Sequence, residues 1–477
     1  MRFGGDDSAV LVVVAVLASF VAFLDGSVVN LALPAISAQF GGGLLLQQWV
    51  LDGYLLALVA FILVAGAVSD TFGRLAVLRA GLTIFAVASL ACAAAPGGAV
   101  LVAARCVQGV GAAFLVPSSL AMINDRFTGA EQSRAIGTWT AWTGTAFVVG
   151  PILGGIIVDA LNWRWIFGLN LLPLIVTLAL TRRLAPQPRA TTNRPRVDVV
   201  GAGLNSVGLT AMVFALIEQQ RLGWSDPLVL TGLAVGSVCL VAFPWWERRT
   251  DHPMMPPEIF GRRNFAAGNL ATVFLYAGVS LGMLLVTLFL QETIGLTAVA
   301  AGLATLPVPV LSFFLAARFG ALAGRYGPRW FMAAGPLLAA GGFLLMTSAR
   351  SDFDLWRQLV PGVALFGLGL TVTVSPLTAA VLAAVDPAQS GIGSAVNNAI
   401  ARVSGLVAVA LTSVIVGGAV DVAGFHRGVV AVAVLFVVAG LVSAAGIRND
   451  AADLAGIPPV ASAGCVDRPA PPPARAG

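Results

Sequence analysis

Residues 9–31 read AVLVVVAVLASFVAFLDGSVVNL, an apolar run broken by a single charge, Asp25. A membrane helix needs about 20 mostly apolar residues to cross the hydrocarbon core, so this run is long enough to span. It is too long for a removable leader and has no small-residue cleavage site before the next run, so it is expected to stay in the protein. Thirteen similar runs follow, near 47–68, 77–95, 99–123, 135–158, 164–181, 199–217, 228–246, 266–290, 298–319, 330–348, 357–382, 391–416 and 428–447. Backbone in lipid must satisfy its own hydrogen bonds, so each run reads as a helix.

Composition agrees. Of 477 residues, 58% are hydrophobic and only 10% charged, and the mean hydropathy is +0.92. A soluble domain is about a quarter charged. A chain this apolar cannot coat a soluble surface with polar groups. A soluble enzyme, a nucleic-acid binder and a disordered scaffold are thereby excluded. The expected class is an all-α polytopic membrane protein with fourteen transmembrane helices.

The 27 basic residues outnumber the 22 acidic ones by five, and every basic residue is Arg. Their placement orients the chain. With the N-terminus inside, nineteen arginines fall in cytoplasmic loops and ends, including Arg74, Arg182, Arg183, Arg248 and Arg249. Five fall outside: Arg164, Arg221, Arg350, Arg357 and Arg427. Arg105, Arg318 and Arg402 lie within runs. Both termini are therefore expected in the cytoplasm and the chain in the cell membrane. The stretch 450–477 is rich in Ala and Pro and reads as a disordered tail.

The chain also repeats itself. Gly66-x-Val68-x-Asp70-x-x-Gly73-Arg74 follows the second run, and Gly320-x-Leu322-x-Gly324-Arg325-x-Gly327-Pro328-Arg329 follows the tenth. Gly109-x-Gly111 in the fourth run is matched by Gly367-x-Gly369 in the twelfth. Runs 1–6 thus resemble runs 9–14 in the same orientation. Parallel repeats imply two six-helix bundles about an axis normal to the membrane, with a binding cavity between them. The expected units are 1–183 for the first bundle, 184–263 for two inserted helices and 264–449 for the second bundle.

A lone carboxylate in lipid is costly, which makes Asp25 a functional candidate by default. Burial disfavours its charge and an arginine partner favours it, so a reversible proton carrier is expected there, with Arg105 of the fourth run as tuner. Asp52, at the start of the second run beside Trp49 and Tyr54, is the second acidic candidate. Ser27 and Asn30, which share a face of the first helix, and Gln108 and Gly109, about one turn beyond Arg105, are expected to line a substrate cavity. Asn397, Asn398 and Arg402 read equally well as cavity-lining groups or as packing glue. Asp70 and Arg74 flank a turn at Gly73, where an acid can pair with a helix N-terminus or an Arg of a neighbouring helix and latch two bundles. Gly150-Pro151-x-x-Gly154-Gly155 combines small residues four apart with a proline, which suits a close, bent helix seam.

With no Lys, a phosphate-binding loop of the P-loop type is excluded. No His, Cys and Glu cluster points to a metal, and no cofactor is expected. Cys92, Cys106, Cys239 and Cys465 lack metal-ligand spacing and read as small soft hydrophobes. A membrane enzyme would need clustered acids in an aqueous loop, whereas the longest cytoplasmic connections carry Arg and Pro.

At these residues the chain resembles the major facilitator superfamily, and within it the fourteen-span drug:proton antiporters. The Gly66–Arg74 loop matches the superfamily's signature between its second and third helices. The stretch 24–34, with Asp25 in the acidic position, is similar to the subfamily's first-helix motif. Leu101-x-x-x-Arg105-x-x-Gln108-Gly109-x-Gly111-Ala112-Ala113 is similar to the proton-coupling motif of the fourth helix. Gly150-Pro151-x-x-Gly154-Gly155 is similar to the antiporter motif of the fifth helix, and Trp163-Arg164-Trp165-Ile166-Phe167 to the signature after it. His252-Pro253-Met254-Met255-Pro256 is also similar to the subfamily. Two departures stand out: Asn170 to Pro173 is one residue longer than the usual Asn-x-Pro, and Gly26 stands where Thr is common. The resemblance implies export of hydrophobic, often cationic, compounds in exchange for protons by a monomer in the bilayer. A proton-coupled uptake symporter on the same scaffold is the alternative.

Overall fold

The computed structural model describes residues 6–127, 129–184, 198–250, 253, 255, 257–349, 353–385 and 390–449. Side chains at a few helical positions, Gly66 and Asp70 among them, lie outside that description, as do the tail at 450–477, most of the linker at 185–197, and His252 and Pro256.

Every regular element among the described residues is helical. The first half comprises α1 (Asp6–Phe40), α2 (Gly43–Phe72), α3 (Arg74–Ala93), α4 (Gly98–Arg126), α5 (Gly129–Gly144), α6 (Ala146–Ala160), α7 (Trp165–Leu169) and α8 (Leu171–Thr181). Next come α9 (Val199–Leu222) and α10 (Pro227–Glu247). The second half holds α11 (Arg263–Leu288), α12 (Ala298–Thr305), α13 (Pro307–Tyr326), α14 (Arg329–Leu345), α15 (Val360–Ala383), α16 (Ser390–Ala410), α17 (Thr412–Val416) and α18 (Val422–Gly446).

Thirteen helical stretches of the described residues are long and apolar enough to cross a membrane. The sixth expected run is shorter: Trp165–Thr181 carries Pro173, which has no N–H to give the helix. At 1.5 Å per residue it reaches about 25 Å, less than the hydrocarbon thickness of about 30 Å. Two runs are broken near a proline. The fifth divides at Thr145, ahead of Pro151, and the tenth divides at Leu306, ahead of Pro307. The first run is longer than its apolarity suggested. Helix α1 passes through Pro34, losing one backbone bond, and ends at Phe40 before left-handed Gly41 and Gly42.

The packing explains the repeated glycines. Helix α4 lies against α2 and α3, and α15 lies in the same way against α13 and α14. A Cβ on Gly109 would meet the Tyr54 carbonyl oxygen of α2 at 2.2 Å, and one on its counterpart Gly367 would meet Val308 Cα of α13 at 2.8 Å. Likewise a Cβ on Gly111 would come within 2.7 Å of the Phe85 backbone nitrogen, and one on Gly369 within 2.5 Å of that of Ala339. Without a hydrophobic drive between helices in lipid, such close backbone approach is what holds them. The sharp turns repeat as well. Gly73 joins α2 to α3 at φ +94°, and Gly327 joins α13 to α14 at φ +86°, a region L side chains rarely adopt.

Helices α9 and α10 pair with each other, and α9 leans on α2. The two halves touch through α12 against α6 and α16 against α2. Polar contacts between the halves gather at the end where α1 turns into α2. There Gln48 donates to the carbonyls of Val409 and Ala410 at 2.6 and 3.0 Å, and Gln47 donates to Glu292. Asp159, at the end of α6, accepts from the backbone amides of Ala298 and Val299 at 2.9 and 2.8 Å, where α12 begins. The seam beside Asp159 is tight: a Cβ on Gly155 would lie 2.6 Å from Val299 Cα, and one on Gly302 would lie 2.5 Å from the Pro151 carbonyl oxygen.

Candidate functional site

The charges of the first half converge inside the helix bundle. Helix α1 supplies Asp25, α4 supplies Arg105 and Gln108, α3 supplies Ser89, and the junction of α7 and α8 supplies Asn170. Arg105 and Gln108 share a face of α4 because residues three apart are neighbours on a helix. Asn170 is placed by the short helical break ahead of Pro173.

Arg105 donates to Asp25 Oδ2 at 2.6 Å. Asp25 Oδ1 accepts from Gln108 Nε2 at 3.0 Å and from Asn170 Nδ2 at 2.8 Å. Gln108 is held in turn: its Oε1 accepts from Arg105 at 2.6 Å, and its Nε2 also donates to Ser89 Oγ at 2.9 Å. Arg105 Nε donates to the Val50 carbonyl at 3.0 Å, and its guanidinium lies 4.3 Å from the centre of the Tyr54 ring. Asp25 is 2% exposed and Arg105 1%. A buried ion pair offsets its own desolvation only when the remaining donors and acceptors are also satisfied. This one meets that condition, with two neutral amides completing the carboxylate.

Asp52 presents the opposite case. It is fully buried on α2, and neither carboxylate oxygen has a hydrogen-bond partner among the described residues. A buried carboxyl group with no donor around it lacks the hydrogen bonds that would offset its removal from water.

The other expected residues are dispersed. Ser27 donates to the carbonyls of Leu24 and Ala146, inside the contact of α1 with α6, and Gly150 fits there because a Cβ would lie 1.9 Å from Ser27 Oγ. Gly154 faces Val28 of α1, where a Cβ would come within 2.9 Å. Asn30 bonds to the Gly26 carbonyl at 3.4 Å. Asn397 donates to Asn269 Oδ1 and Thr272 Oγ1 of α11 at 3.0 and 2.8 Å, while Asn398 is exposed and bonds within its own helix to the Ser394 carbonyl at 3.2 Å. Arg74 pairs with Asp125 and donates to the Ala121 carbonyl, both of α4 in its own half. The side chain of Asp70, on which the latch expectation rests, lies outside the described residues. Arg402 is half-buried on α16.

Sequence reasoning overlooked three members of the site. Asn170 was visible only as a spacing departure, although its offset from Pro173 is what turns its amide onto Asp25. Tyr54 is one of three tyrosines in the chain and lies two residues from Asp52. Ser89 gave no signal, since a serine in an apolar run is ordinary.

Residues 15–281 match the family described as Major Facilitator Superfamily. The chain is 36% identical to the puromycin resistance protein of Streptomyces alboniger over 85% of its own length and 81% of that protein's. It is 34% identical to the multidrug resistance protein Stp of Mycobacterium tuberculosis over 80% of this chain and 71% of the other. Among solved structures, the peptide transporter POT in complex with sulfate superposes with a TM-score of 0.70 at 15% identity, covering 93% of this chain and 95% of that one. At that identity the likeness concerns the fold alone.

Proposed function

The chain belongs to the major facilitator superfamily and is a membrane efflux transporter, and we propose on that premise that Asp25, Arg105 and Asp52 couple export to protons moving the opposite way. The observation that carries this reading is the carboxylate of Asp25, held by three donors from two other segments, α4 and the α7–α8 junction, in the interior of the bundle. Protonating it removes the charge that Arg105, Gln108 and Asn170 all grip. Those segments then lose a common tie, which is how one proton can bias the packing of several helices.

In this reading the chain is a fourteen-span antiporter working as a monomer in the cell membrane. It has two six-helix bundles, two inserted helices, and both termini in the cytoplasm. The Arg asymmetry supports the orientation. The α1–α2 end is then the outer end, and the contacts gathered there keep the outer side closed in this conformation. The Gly150–Gly155 motif serves as the outer seam. The Gly66–Arg74 turn serves as the latch on the cytoplasmic side, formed when the protein faces outwards. Asp52, one turn in from the outer contacts of Gln48, is the second proton-binding candidate and takes up a proton from the outer side when the seam between α2 and α16 opens. A proton can shift the two states only through different affinity for them, and Asp25 and Asp52 differ most in their surroundings.

The cargo is small and hydrophobic, in keeping with the antibiotic resistance named for the relatives. A susceptibility panel on cells with and without the protein identifies it. Proteoliposomes with an imposed pH gradient test the coupling. Export is expected to follow the gradient in the wild type and to be lost in Asp25→Asn. Transport of the cargo in the same direction as protons would instead establish an uptake symporter.

A further inference from the structure

The inserted helix α9 is bonded to both sides of the seam between the halves. It packs along α2 and also touches α16 and α17. Its outer end carries the run Glu218-Gln219-Gln220-Arg221, whose side chains reach different partners. Glu218 accepts from Trp49 Nε1 of α2 at 2.8 Å and pairs with Arg221 at 2.8 Å. Gln220 donates to Gln48 Oε1 of α2. Gln219 donates to Ser413 Oγ of α17 at 3.3 Å. Gln48 is also the side chain whose Nε2 crosses the seam to the carbonyls of Val409 and Ala410. One amide of α2 is thus held on its oxygen by the inserted helix and on its nitrogen side by the second half. Glu218, Gln219, Gln48 and Ser413 are all buried, where polar groups need such partners.

The grip of α9 on the two halves is unequal. Toward the first half it has the two bonds to Trp49 and Gln48, a third from Ser206 to the Ala60 carbonyl at 3.4 Å, and the ring of Phe214 tilted against that of Trp49 at 6.3 Å. Toward the second half, a single side-chain hydrogen bond leaves its outer end among the described residues, from Gln219 to Ser413. An apolar cavity of about 680 Å³ also separates the inserted pair from the second half. Asn205 of α9 and Phe243 of α10 line one side, and Phe274 and Ala277 of α11 with Val403 and Val407 of α16 line the other. Elements in continuous contact shift as one body, whereas a gap with one bond across it marks where two bodies part.

We propose that the inserted helices travel with the first half when the outer seam opens, and that the Gln219–Ser413 bond is a clasp made only while that seam is closed. The two-helix insertion then acts as a brace on the outer gate. A bond present in one state and absent in the other biases their populations by its own strength, which for a neutral hydrogen bond is about fivefold. The assignment rests on the transport reading above for the existence of two states, but its test reads distances and not transport.

The test uses the full-length chain in lipid nanodiscs, with pairs of spin labels at exposed outer positions and distances measured by pulsed double resonance. The label sites are Leu161→Cys at the end of the first half's α6, Leu228→Cys at the start of α10, and Trp356→Cys ahead of α15 in the second half. Wild type, with its own four cysteines, gives the labelling background. The Leu228–Leu161 distance is expected to stay the same in every variant. The Leu228–Trp356 distance should show a short and a long component, with the ratio of long to short rising about fivefold in Gln219→Leu. Ser413→Ala removes the other partner, should give the same rise, and covers the case in which Gln219→Leu fails to fold. A Leu228–Leu161 distance that lengthens in either variant would overturn the proposal, as would a Leu228–Trp356 distribution unchanged in both. Absence of proton-driven export in vesicles, with these distances as expected, would instead overturn the transport reading and leave this one standing.

Discussion

Asp25 and Asp52 are both carboxyl groups buried within the first half, yet their surroundings are opposites. Asp25 faces one cation and two amides, all within 3.0 Å. Asp52 faces no donor at all among the described residues. Burial alone therefore says little about a membrane carboxylate. What matters is whether neighbouring helices bring donors to it. The first carboxyl ties two other segments to α1, and the second ties nothing to α2 among the described residues.

The largest effect is expected for Asp25→Ala. It strands Arg105 in the interior, and removing one partner of a buried pair costs about 3–5 kcal/mol. Thermal unfolding in detergent should record a large fall in stability, along with lost transport. The double replacement Asp25→Leu with Arg105→Met should recover most of the stability, since apolar groups of similar size can replace a buried pair, but none of the transport. A double variant as unstable as the single one would mean that the pair is not the source of the loss.

Asn170→Ala comes next. It removes one donor from Asp25 and should cost about 1–3 kcal/mol, the range for leaving a buried partner unsatisfied. The pH profile of export should also shift, because one of the three donors to the proposed proton carrier is gone. An unchanged pH profile in vesicles would put the Asn170 contact outside the coupling.

Asn397→Ala in the second half is a neutral control. Its two hydrogen bonds to Asn269 and Thr272 should cost about 1–2 kcal/mol when lost, with the pH dependence of export unaltered. A shifted pH profile there would show that proton coupling is shared between the halves.

The smallest stability effect is expected for Asp52→Asn. With no donor to lose, the change should stay within about 0.5 kcal/mol, while the protons released when cargo is added to purified protein should fall. Full release from Asp52→Asn would return the carrier role to Asp25 alone. A large fall in stability would mean that Asp52 is charged after all.

That the chain is helical and membrane-embedded was legible from sequence, because apolar length and backbone hydrogen bonding in lipid favour helices that span. The sequence also located Asp25, Arg105 and Asp52, since charges inside apolar runs are few and conspicuous. The repeat was legible in Gly73 and Gly327, whose left-handed turns need glycine wherever they occur. Helix ends were less legible. The first apolar run ends at 31, but α1 continues through Pro34 to Phe40, and the run near Trp165 folds as an apolar helix shorter than the other spans. What the sequence left open is that Arg105 and Asn170 both point at Asp25 and that Asp52 meets no hydrogen-bond donor among the described residues. Those facts depend on how α1, α2 and α4 are rotated about their own axes. That rotation is set by close backbone contacts such as Gly109 against Tyr54, which no single helix carries in its own pattern.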